Sequence, residues 1–337
     1  MRKRIRKILV TGGAGFIGSA FVRLLAKTYA PAKLSLVVVD KLTYAGDLTR
    51  LEEAKGRYKF YKADISNKSQ IQSIFKRERP VAVVNFAAES HVDRSICDSA
   101  VFVKTNVAGT DMLLRVSREY SVVKFIQVST DEVYGEIANG SFDEDSPFNP
   151  SSPYSASKAA ADLLINSYIR TYSFPAIIVR PSNNYGPWQY PEKLIPLAIL
   201  KVLRKEKIPV YGRGQNIREW LYVDDCVKGI LAILESGRVG SVYNIGSDEE
   251  RRNIDIVMLI LKEMHASNNL IEFVKDRPGH DLRYRLNSDK IRQQLHWMPE
   301  VKPEEGIRYT VRWCLAHKDW LMRKWSNIAW LYRKNVL

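Results

Sequence analysis

A glycine-rich turn near the N-terminus limits the possible fold more than any other stretch of the sequence. Residues 7–11 predict a buried strand, after which Gly12, Gly15 and Gly18 open a predicted helix that extends to residue 29. Glycines at this spacing let the backbone turn tightly and approach a pyrophosphate, whose charge then lies at the helix N-terminus. The turn therefore predicts a unit that binds a dinucleotide, although a glycine turn that serves packing alone has the same spacing.

An acidic residue follows the second predicted strand, as such a unit requires. Residues 34–39 are apolar and Asp40 comes next, about 20 residues past the last glycine. A carboxylate there accepts hydrogen bonds from the adenosine ribose hydroxyls and repels a 2′-phosphate, so we expect NAD as the cofactor rather than NADP. Lys41, beside it, weakens that preference.

Strand patterns alternate with helical patterns through the first half of the chain. Further strands are predicted at residues 58–63, 81–87, 122–130 and 176–181. This alternation predicts a Rossmann-type, doubly wound α/β fold, with a parallel sheet covered on both faces. We expect residues 1–182 to form this domain with 219–246 returning to it, 183–218 and 247–312 to form a smaller mixed α/β substrate-binding lobe, and 313–337 to be a basic, tryptophan-rich extension.

A hydroxyl and two adjacent carboxylates follow the fifth predicted strand, where ligands bind in open α/β sheets. They are Thr130, Asp131 and Glu132, and the next predicted helix carries Tyr154 and Lys158 on one face. We expect Lys158 to lower the pKa of Tyr154, because a nearby positive charge favours the phenolate, and we expect repulsion to raise the pKa of at least one carboxyl. The alternatives are an acidic pair that answers a helix dipole and an ordinary amphipathic helix face.

The formal net charge of +15 has two interpretations. One is a nucleic-acid or anionic-surface partner, and the other is a basic exterior with an anionic small-molecule substrate. Lysine and arginine are spread along the whole chain, and no RNA-binding or helix-turn-helix signature occurs. We therefore expect no nucleic-acid partner.

The sequence offers no metal or membrane-span signature. Cys97, Cys226 and Cys314 have neither metal spacing nor a disulfide framework, and His91 and His280 lack a third ligand. No apolar run approaches the roughly 18–20 residues of a membrane span, and no signal-peptide pattern occurs. We therefore expect no metal, and a reducing cytoplasm as the location.

Several motifs together resemble the extended short-chain dehydrogenase/reductase family. The glycine turn, Asp40 and the pair of Tyr154 and Lys158 are typical of the broad family. A narrower resemblance to nucleotide-sugar 4,6-dehydratases rests on five stretches, namely residues 130–132, 88–95, 182–187, 191–196 and 276–281. Asp131 is the position at which related epimerases and decarboxylases look different.

The resemblance implies removal of water from a nucleotide-linked glucose in deoxysugar biosynthesis, by internal hydride transfer through bound NAD. It implies that Tyr154, supported by Lys158, takes the proton of the 4-hydroxyl and that Thr130 binds the same oxygen. Glu132 would remove the carbon-5 proton, and Asp131 would give a proton to the departing 6-hydroxyl. Thymidine and uridine nucleotides differ by one methyl group and stay open. A UDP-sugar 4-epimerase or decarboxylase, and an NAD-sensing binding protein without turnover, remain alternatives.

Binding roles and a homodimer also follow from the resemblance. The implied cofactor contacts are Gly12, Gly15, Phe16, Ile17, Gly18, Asp40, Lys41, Thr43, Asp64, Ile65, Ala87, Ala88, Ser90, Thr105, Ser129, Tyr154, Lys158 and Asn184. The implied substrate contacts are Ser90, Thr130, Asn183, Lys193, Leu194, Pro209, Tyr211, Arg218, Asn253, Arg277 and His280. The family pairs two protomers through the predicted helices at residues 99–120 and 154–172.

The last stretch, residues 313–337, departs from the family pattern. Apolar residues recur there at helical spacing, at Trp320, Leu321, Trp325, Ile328, Ala329 and Tyr332, with Arg323, Lys324, Arg333 and Lys334 between them. A basic, amphipathic, tryptophan-bearing helix can lie on a membrane surface. Packing against its own domain or a partner subunit is the alternative that we favour.

Overall fold

The fold is built on a parallel sheet of seven strands, within residues 5–327, which are the ones that the computed structural model describes. The strands are β1 Lys7–Thr11, β2 Ser35–Asp40, β3 Tyr58–Lys62, β4 Ala82–Asn85, β5 Lys124–Val128, β6 Ala176–Pro181, β7 Asn183–Tyr185, β8 Ile208–Tyr211, β9 Ile217–Tyr222, β10 Val242–Ile245, β11 Glu250–Arg252 and β12 Ile271–Val274. The helices are α1 Phe16–Thr28, α2 Lys68–Glu78, α3 Val92–Cys97, α4 Ala100–Phe102, α5 Gly109–Glu119, α6 Pro153–Tyr172, α7 Leu194–Leu203, α8 Val223–Ser236, α9 Asn253–Glu263, α10 Asp289–Leu295, α11 Pro303–Ala316 and α12 Lys318–Ser326.

The strand order of the large sheet places a switch point beside β1. The order is β10-β6-β5-β4-β1-β2-β3, so the chain runs outward from β1 through β2 and later from β4 in the opposite direction. Crossover helices leave on opposite sides of such a point, which opens a crevice at the carboxyl ends of the strands. The predicted Rossmann-type fold is confirmed.

Alternating side chains of the strands fill two separate cores, one on each face of the sheet. Val10 and Val38 pack with the helices α1 and α8, in one cluster with Phe21 and Ile230. Leu9 and its neighbours pack on the other face, under α2, α5 and α6. Both faces are covered, which explains why these strands are continuous apolar runs in the sequence.

A second lobe carries two small sheets. One has the order β11-β9-β7 and the other pairs β12 with β8. The sequence pattern did not indicate the strand Asn183–Tyr185, which pairs with β9. Polar residues over so short a run give no apolar pattern. Beyond β9, the chain returns to the large sheet, where β10 pairs with β6.

The tryptophan-rich segment packs inside the second lobe as far as the structure describes it. Helix α11 ends at Ala316 and α12 begins at Lys318. Trp320, Leu321 and Trp325 of α12 are buried in the core of this lobe. The apolar face that the membrane interpretation needs is therefore covered. The predicted continuation through Ile328, Ala329, Tyr332, Arg333 and Lys334 lies outside the described residues. Within residues 5–327, no helix is long and apolar enough to cross a membrane.

A buried ion pair joins α6 to β6. Arg180 Nε donates to Asp162 Oδ2 at 2.9 Å, and both side chains are almost fully buried. We expect Asp162→Ala to lower the free energy of unfolding by about 3–5 kcal/mol, because it leaves the Arg180 charge buried without its carboxylate. Urea denaturation measures the change. The matched control is Arg252→Ala, which breaks the exposed pair with Asp255 and should change stability little. Equal effects of the two substitutions would contradict the expectation.

Candidate functional site

A cleft of about 840 Å³ opens between the sheet's carboxyl edge and the second lobe. Its walls contain most of the residues that the sequence singled out. Those are Gly12, Gly15, Phe16, Ile17, Gly18, Ala88, Ser90, Ser129, Thr130, Asp131, Glu132, Tyr154, Lys158, Asn183, Asn184, Lys193, Leu194, Pro209, Tyr211, Arg218, Asn253, Arg277 and His280. The predicted cofactor contacts that do not line this cleft are Asp40, Lys41, Thr43, Asp64, Ile65, Ala87 and Thr105.

The glycine turn has the close approaches that exclude side chains. Gly12 has a φ of +64°, and a Cβ added there would lie 2.6 Å from the Ala87 nitrogen. A Cβ on Gly18 would lie 2.2 Å from the Gly12 oxygen. Only glycine fits these positions, and the bare backbone is therefore free to face a pyrophosphate at the N-terminus of α1.

The acid after β2 is held in place by backbone donors. Asp40 Oδ2 accepts from Ala14 N at 2.9 Å, and Oδ1 accepts from Leu42 N at 2.8 Å. Burial raises the pKa of Asp40, whereas these two hydrogen bonds and Arg50 lower it. Lys41 forms an ion pair with Asp64, with 2.8 Å between Nζ and Oδ2. This ion pair directs the Lys41 charge to the end of β3. Lys41 therefore weakens the preference of Asp40 for a ribose without a 2′-phosphate less than the sequence suggested.

Thr130, Asp131 and Glu132 form a short capped turn directly after β5. The Asp131–Tyr134 segment is a 3₁₀ turn, and the Thr130 hydroxyl caps it by accepting from Glu132 N at 3.3 Å. The same hydroxyl donates to Asp131 Oδ1 at 3.1 Å, and Thr130 lies close enough to the Tyr154 phenol to lower the pKa of Tyr154. Asp131 Oδ2 is buried without a hydrogen-bond partner among the described residues. The turn thus presents one carboxyl oxygen to the cleft.

The surroundings separate the two neighbouring carboxyls. Burial, followed by repulsion from Glu132, raises the pKa of Asp131 to about 8. Burial also raises the pKa of Glu132, but Arg277, Lys193 and Arg218 oppose that rise. Asp131 is thus suited to carry a proton at neutral pH while Glu132 faces cations that favour its charge. Such a difference is what acid and base roles require of a pair.

The pKa of Tyr154 differs from the sequence expectation. Burial, and then the charges of Glu132 and Asp131, raise this pKa above its ordinary value. The expected lowering by Lys158 is therefore wrong for this structure. Lys158 Nζ instead donates to the Val128 carbonyl at 2.7 Å, and burial lowers the pKa of Lys158 to about 8. Spacing on a helix places two side chains on one face but does not decide which acceptor the longer one reaches.

The predicted helix at residues 99–120 contains a π-helical segment, Val103–Ala108. Asn106 within it donates to the Glu89 carbonyl at 3.0 Å and to Ser157 Oγ at 2.8 Å. These bonds join the loop after β4 to the helix that carries Tyr154. The wider turn is what directs Asn106 inward, and periodicity alone did not indicate it.

The second lobe brings basic side chains to the outer end of the cleft. Arg277 Nη1 donates to Asp93 Oδ1 at 3.1 Å, and Tyr211 OH donates to Asp93 Oδ2 at 3.2 Å. Lys193 Nζ donates to the Ser90 carbonyl at 2.9 Å. Arg277 Nε is buried and lacks a partner within residues 5–327. An unpaired guanidinium N–H in such a place is suited to a phosphate oxygen.

Sequence reasoning gave no site role to several cleft residues, above all Glu192, His91 and Tyr284, although Glu192 and His91 lie within the stretches 191–196 and 88–95. Tyr44 OH donates to Glu192 Oε1 at 3.0 Å, and His91 Nε2 lies 3.9 Å from Glu192 Oε2. Burial raises the pKa of Glu192 to about 7. Glu192 follows a proline in an irregular loop, and its signals in the sequence were its place within the stretch 191–196 and beside the predicted contact Lys193.

No group of three or more histidine, cysteine or acidic side chains in residues 5–327 is arranged to hold a metal ion. His280 Nδ1 lies 2.6 Å from Asp276 Oδ1, and His91 Nδ1 accepts from Arg94 N at 3.3 Å. Both rings thus have protein partners. The site is organised by carboxyls, hydroxyls and cations.

Known proteins share this chain's architecture over nearly its whole length. The family model described as GDP-mannose 4,6 dehydratase matches residues 9–310. The chain is 45% identical to the dTDP-glucose 4,6-dehydratase of Neisseria meningitidis serogroup B, over 96% of each chain. It is 48% identical to a probable dTDP-glucose 4,6-dehydratase of Sinorhizobium fredii, over 93% of this chain and 94% of the other.

Solved structures of related enzymes have the same fold as this chain. The dTDP-glucose 4,6-dehydratase of Streptomyces venezuelae, crystallised with NAD, has a TM-score of 0.91 at 44% identity, over 94% of this chain and 99% of that one. The UDP-glucose 4-epimerase of Thermotoga maritima, crystallised with UDP-glucose, has a TM-score of 0.86 at 30% identity, over 93% of this chain and 99% of that one.

Proposed function

The chain belongs to the nucleotide-sugar dehydratase family that the GDP-mannose 4,6 dehydratase model describes, and on that premise we propose that it converts dTDP-glucose into dTDP-4-keto-6-deoxyglucose and water. The observation that carries the proposal is the adjacent carboxyl pair Asp131 and Glu132 in the cleft, where burial and Glu132 raise the pKa of Asp131 to about 8 while three cations oppose the rise at Glu132. An epimerase, which removes no water, needs no proton donor such as Asp131.

The glycine turn and Asp40 fit NAD. The Gly12 and Gly18 approaches leave room for a pyrophosphate, and Asp40 is oriented by Ala14 and Leu42 to accept from ribose hydroxyls. When bound, NAD supplies a reversible hydride acceptor. We propose that Lys41, Thr43, Asp64 and Ile65 border its adenosine end, since they lie at the ends of β2 and β3.

Tyr154 and Thr130 act at the sugar's 4-hydroxyl. Tyr154 takes the hydroxyl proton, and Thr130, which lies beside the phenol, binds the same oxygen. The raised pKa of Tyr154 means that its phenolate needs nearby positive charge. Lys158, one helical turn away and still mostly protonated at neutral pH, contributes to that charge.

Glu132 and Asp131 remove water. The ketone at carbon 4 acidifies the carbon-5 hydrogen, which Glu132 accepts, and Asp131 gives its proton to the 6-hydroxyl as the carbon–oxygen bond breaks. The hydride that leaves carbon 4 returns to carbon 6 after water has left, and Glu132 returns its proton to carbon 5. Carbon 4 ends oxidised and carbon 6 reduced, so the net redox change is zero. Arg218, Arg277 and Lys193 hold the nucleotide diphosphate that positions the sugar.

The test is incubation of the purified protein, with NAD, with dTDP-glucose and UDP-glucose separately, followed by mass spectrometry of the sugar nucleotides. We expect loss of one water from dTDP-glucose. An unchanged mass with an inverted carbon 4 would instead identify an epimerase, and stoichiometric reduction of NAD would identify a simple dehydrogenase. Faster water loss from UDP-glucose would identify a uridine nucleotide as the substrate and would support the same dehydration mechanism.

The rate should fall as pH rises through about 8. Asp131 works protonated, and burial raises its pKa to about 8, while Lys158 works charged, and burial lowers its pKa to about 8. Both groups lose the required proton over the same range, so we expect kcat/KM to decline by about tenfold or more per pH unit above it. Measuring kcat/KM from neutral to alkaline pH checks this. In Lys158→Arg, whose guanidinium keeps its charge, the decline should persist through Asp131 alone; a flat profile would contradict the acid role.

We also propose that two protomers pair through α5 and α6. Leu163 and Tyr172 on α6 have 58% and 47% of their surface exposed in the single chain, which supports an interface there. Analytical ultracentrifugation measures the assembly state. A cytoplasmic location stays a prediction.

A further inference from the structure

Helix α12 contacts the carboxylate of Asp47, a residue in the N-terminal part of the sequence. Trp320 Nε1 donates to Asp47 Oδ2 at 2.8 Å, and Lys324 Nζ lies 2.7 Å from the same oxygen. Both partners of the ion pair are largely buried, with 15% and 11% of their side chains exposed. Burial alone would raise the pKa of Asp47, but the bonds from Lys324, Trp320 and Thr49 lower it overall. Asp47 therefore holds its charge in this contact.

A buried arginine next to Asp47 extends the contact to both sides of the cleft. Arg50 is 1% exposed; its guanidinium donates to the Ala14 carbonyl at 3.0 Å and to the Trp188 carbonyl at 2.9 Å. It also lies 5.4 Å from the centre of the Trp320 ring. Trp188 packs on the Trp320 ring edge to face, with 5.2 Å between centroids. One cation thus joins the glycine turn, the second lobe and α12.

The same bonds reach the predicted adenosine end of the cofactor site. Ala14 lies in the glycine turn, where its N–H orients Asp40 and its carbonyl accepts from Asp47 N at 3.0 Å as well as from Arg50. Ala45 and Arg50 line the cleft beside Gly12 and Gly15, whereas no residue of α12 does. The hydrogen-bonded route from α12 to the cofactor site therefore runs through the segment 41–50.

We infer that α12 is a latch that sets how slowly NAD leaves the site, by holding the segment 41–50 against the glycine turn through Asp47. The inference rests on the NAD site of the proposed function. Release of the adenosine half requires this segment to move outward, since Ala45 and Arg50 form the wall there. Outward movement separates Asp47 from two donors at once, and hydrogen bonds to a buried charge are among the strongest that a side chain makes. Trp320, Lys324 and Asp47 are positioning residues in this scheme.

The test measures NAD exchange directly and needs no sugar. The full chain, loaded with NAD, is mixed with excess isotope-labelled NAD, and the loss of the unlabelled form is followed in Lys324→Met and Trp320→Phe. Each substitution removes one donor from Asp47 and keeps most of the apolar contact, so we expect NAD to dissociate about tenfold faster or more. With saturating NAD, kcat on dTDP-glucose should stay within about twofold, because the reacting groups are unchanged.

Controls separate the latch from a general loss of stability. Arg323→Met removes the same charge from an exposed position of α12 and should leave the exchange rate unchanged. Lys324→Arg keeps a cationic donor and should restore slow exchange. Wild-type rates in both Lys324→Met and Trp320→Phe, or equal acceleration in Arg323→Met, would overturn the inference. If Trp320→Phe does not fold, Lys324→Met decides alone. Slow exchange that depends on Lys324 in a protein that leaves dTDP-glucose intact would contradict the proposed function and leave the latch standing.

Discussion

Asp131→Asn is expected to slow the loss of water by about 10²–10⁴-fold, the usual contribution of a positioned general acid. The amide has nearly the shape of the carboxyl and fits beside Thr130, which donates to Asp131 Oδ1. It has no acidic proton for the departing 6-hydroxyl. Tyr154 and Lys158 are untouched, so the first oxidation should proceed and reduced cofactor should accumulate. Rapid-mixing absorbance of the reduced nicotinamide, with mass analysis of the sugar, measures the two steps separately.

Glu132→Gln is the informative comparison for Asp131→Asn. It should also stop water loss after the first oxidation, but it removes the base that takes the carbon-5 proton. In deuterated water, carbon 5 should therefore exchange its hydrogen in Asp131→Asn and keep it in Glu132→Gln. Asp145→Asn, at an exposed acid, controls for the loss of one carboxyl. Equal slowing of oxidation and water loss in Asp131→Asn would contradict the acid role.

Tyr154→Phe is expected to slow the first oxidation itself by about 10²–10⁴-fold, because it removes the group that takes the proton of the 4-hydroxyl beside Thr130. No reduced cofactor should then appear on mixing with dTDP-glucose, although NAD remains bound through the glycine turn. The same absorbance measurement checks this, with bound NAD quantified after denaturation.

Tyr172→Phe, on the same helix and away from the cleft, is the matched control for Tyr154→Phe. It should oxidise the sugar at the normal rate. A burst of reduced cofactor in Tyr154→Phe equal to that of Tyr172→Phe would assign the 4-hydroxyl proton to another group, and Glu192 would be the next candidate.

The sequence predicted the large sheet because the residues of each strand and turn indicate that element by themselves. A buried parallel strand needs an unbroken apolar run, and the turn before α1 needs glycine where Gly12 meets Ala87. Three-residue strands such as β7 have no such requirement, since pairing with β9 is decided by the rest of the lobe. Periodicity likewise indicated a helix around Asn106 but not the added residue per turn.

The sequence predicted which residues form the site better than it predicted their pKa values. Spacing placed Tyr154 and Lys158 together, yet the pKa of Tyr154 depends on burial and on Glu132, which only the folded chain brings near. The tryptophans of α12 show the same limit: helical spacing predicted an apolar stripe, and the fold decides that the stripe faces Trp188. Whether a stripe is covered is a tertiary property that no single segment contains.

Asp93 carries a consequence for attempts to exchange lobes between relatives. This acid belongs to the sheet side of the molecule and is 7% exposed, and both of its oxygens accept from the other side, from Arg277 and Tyr211. A grafted second lobe without this guanidinium and this phenol would leave the Asp93 carboxylate buried without these hydrogen-bond donors, which would lower the free energy of unfolding. Relatives whose second lobe could replace this one are therefore recognisable by side chains equivalent to Arg277 and Tyr211, whatever sugar they prefer.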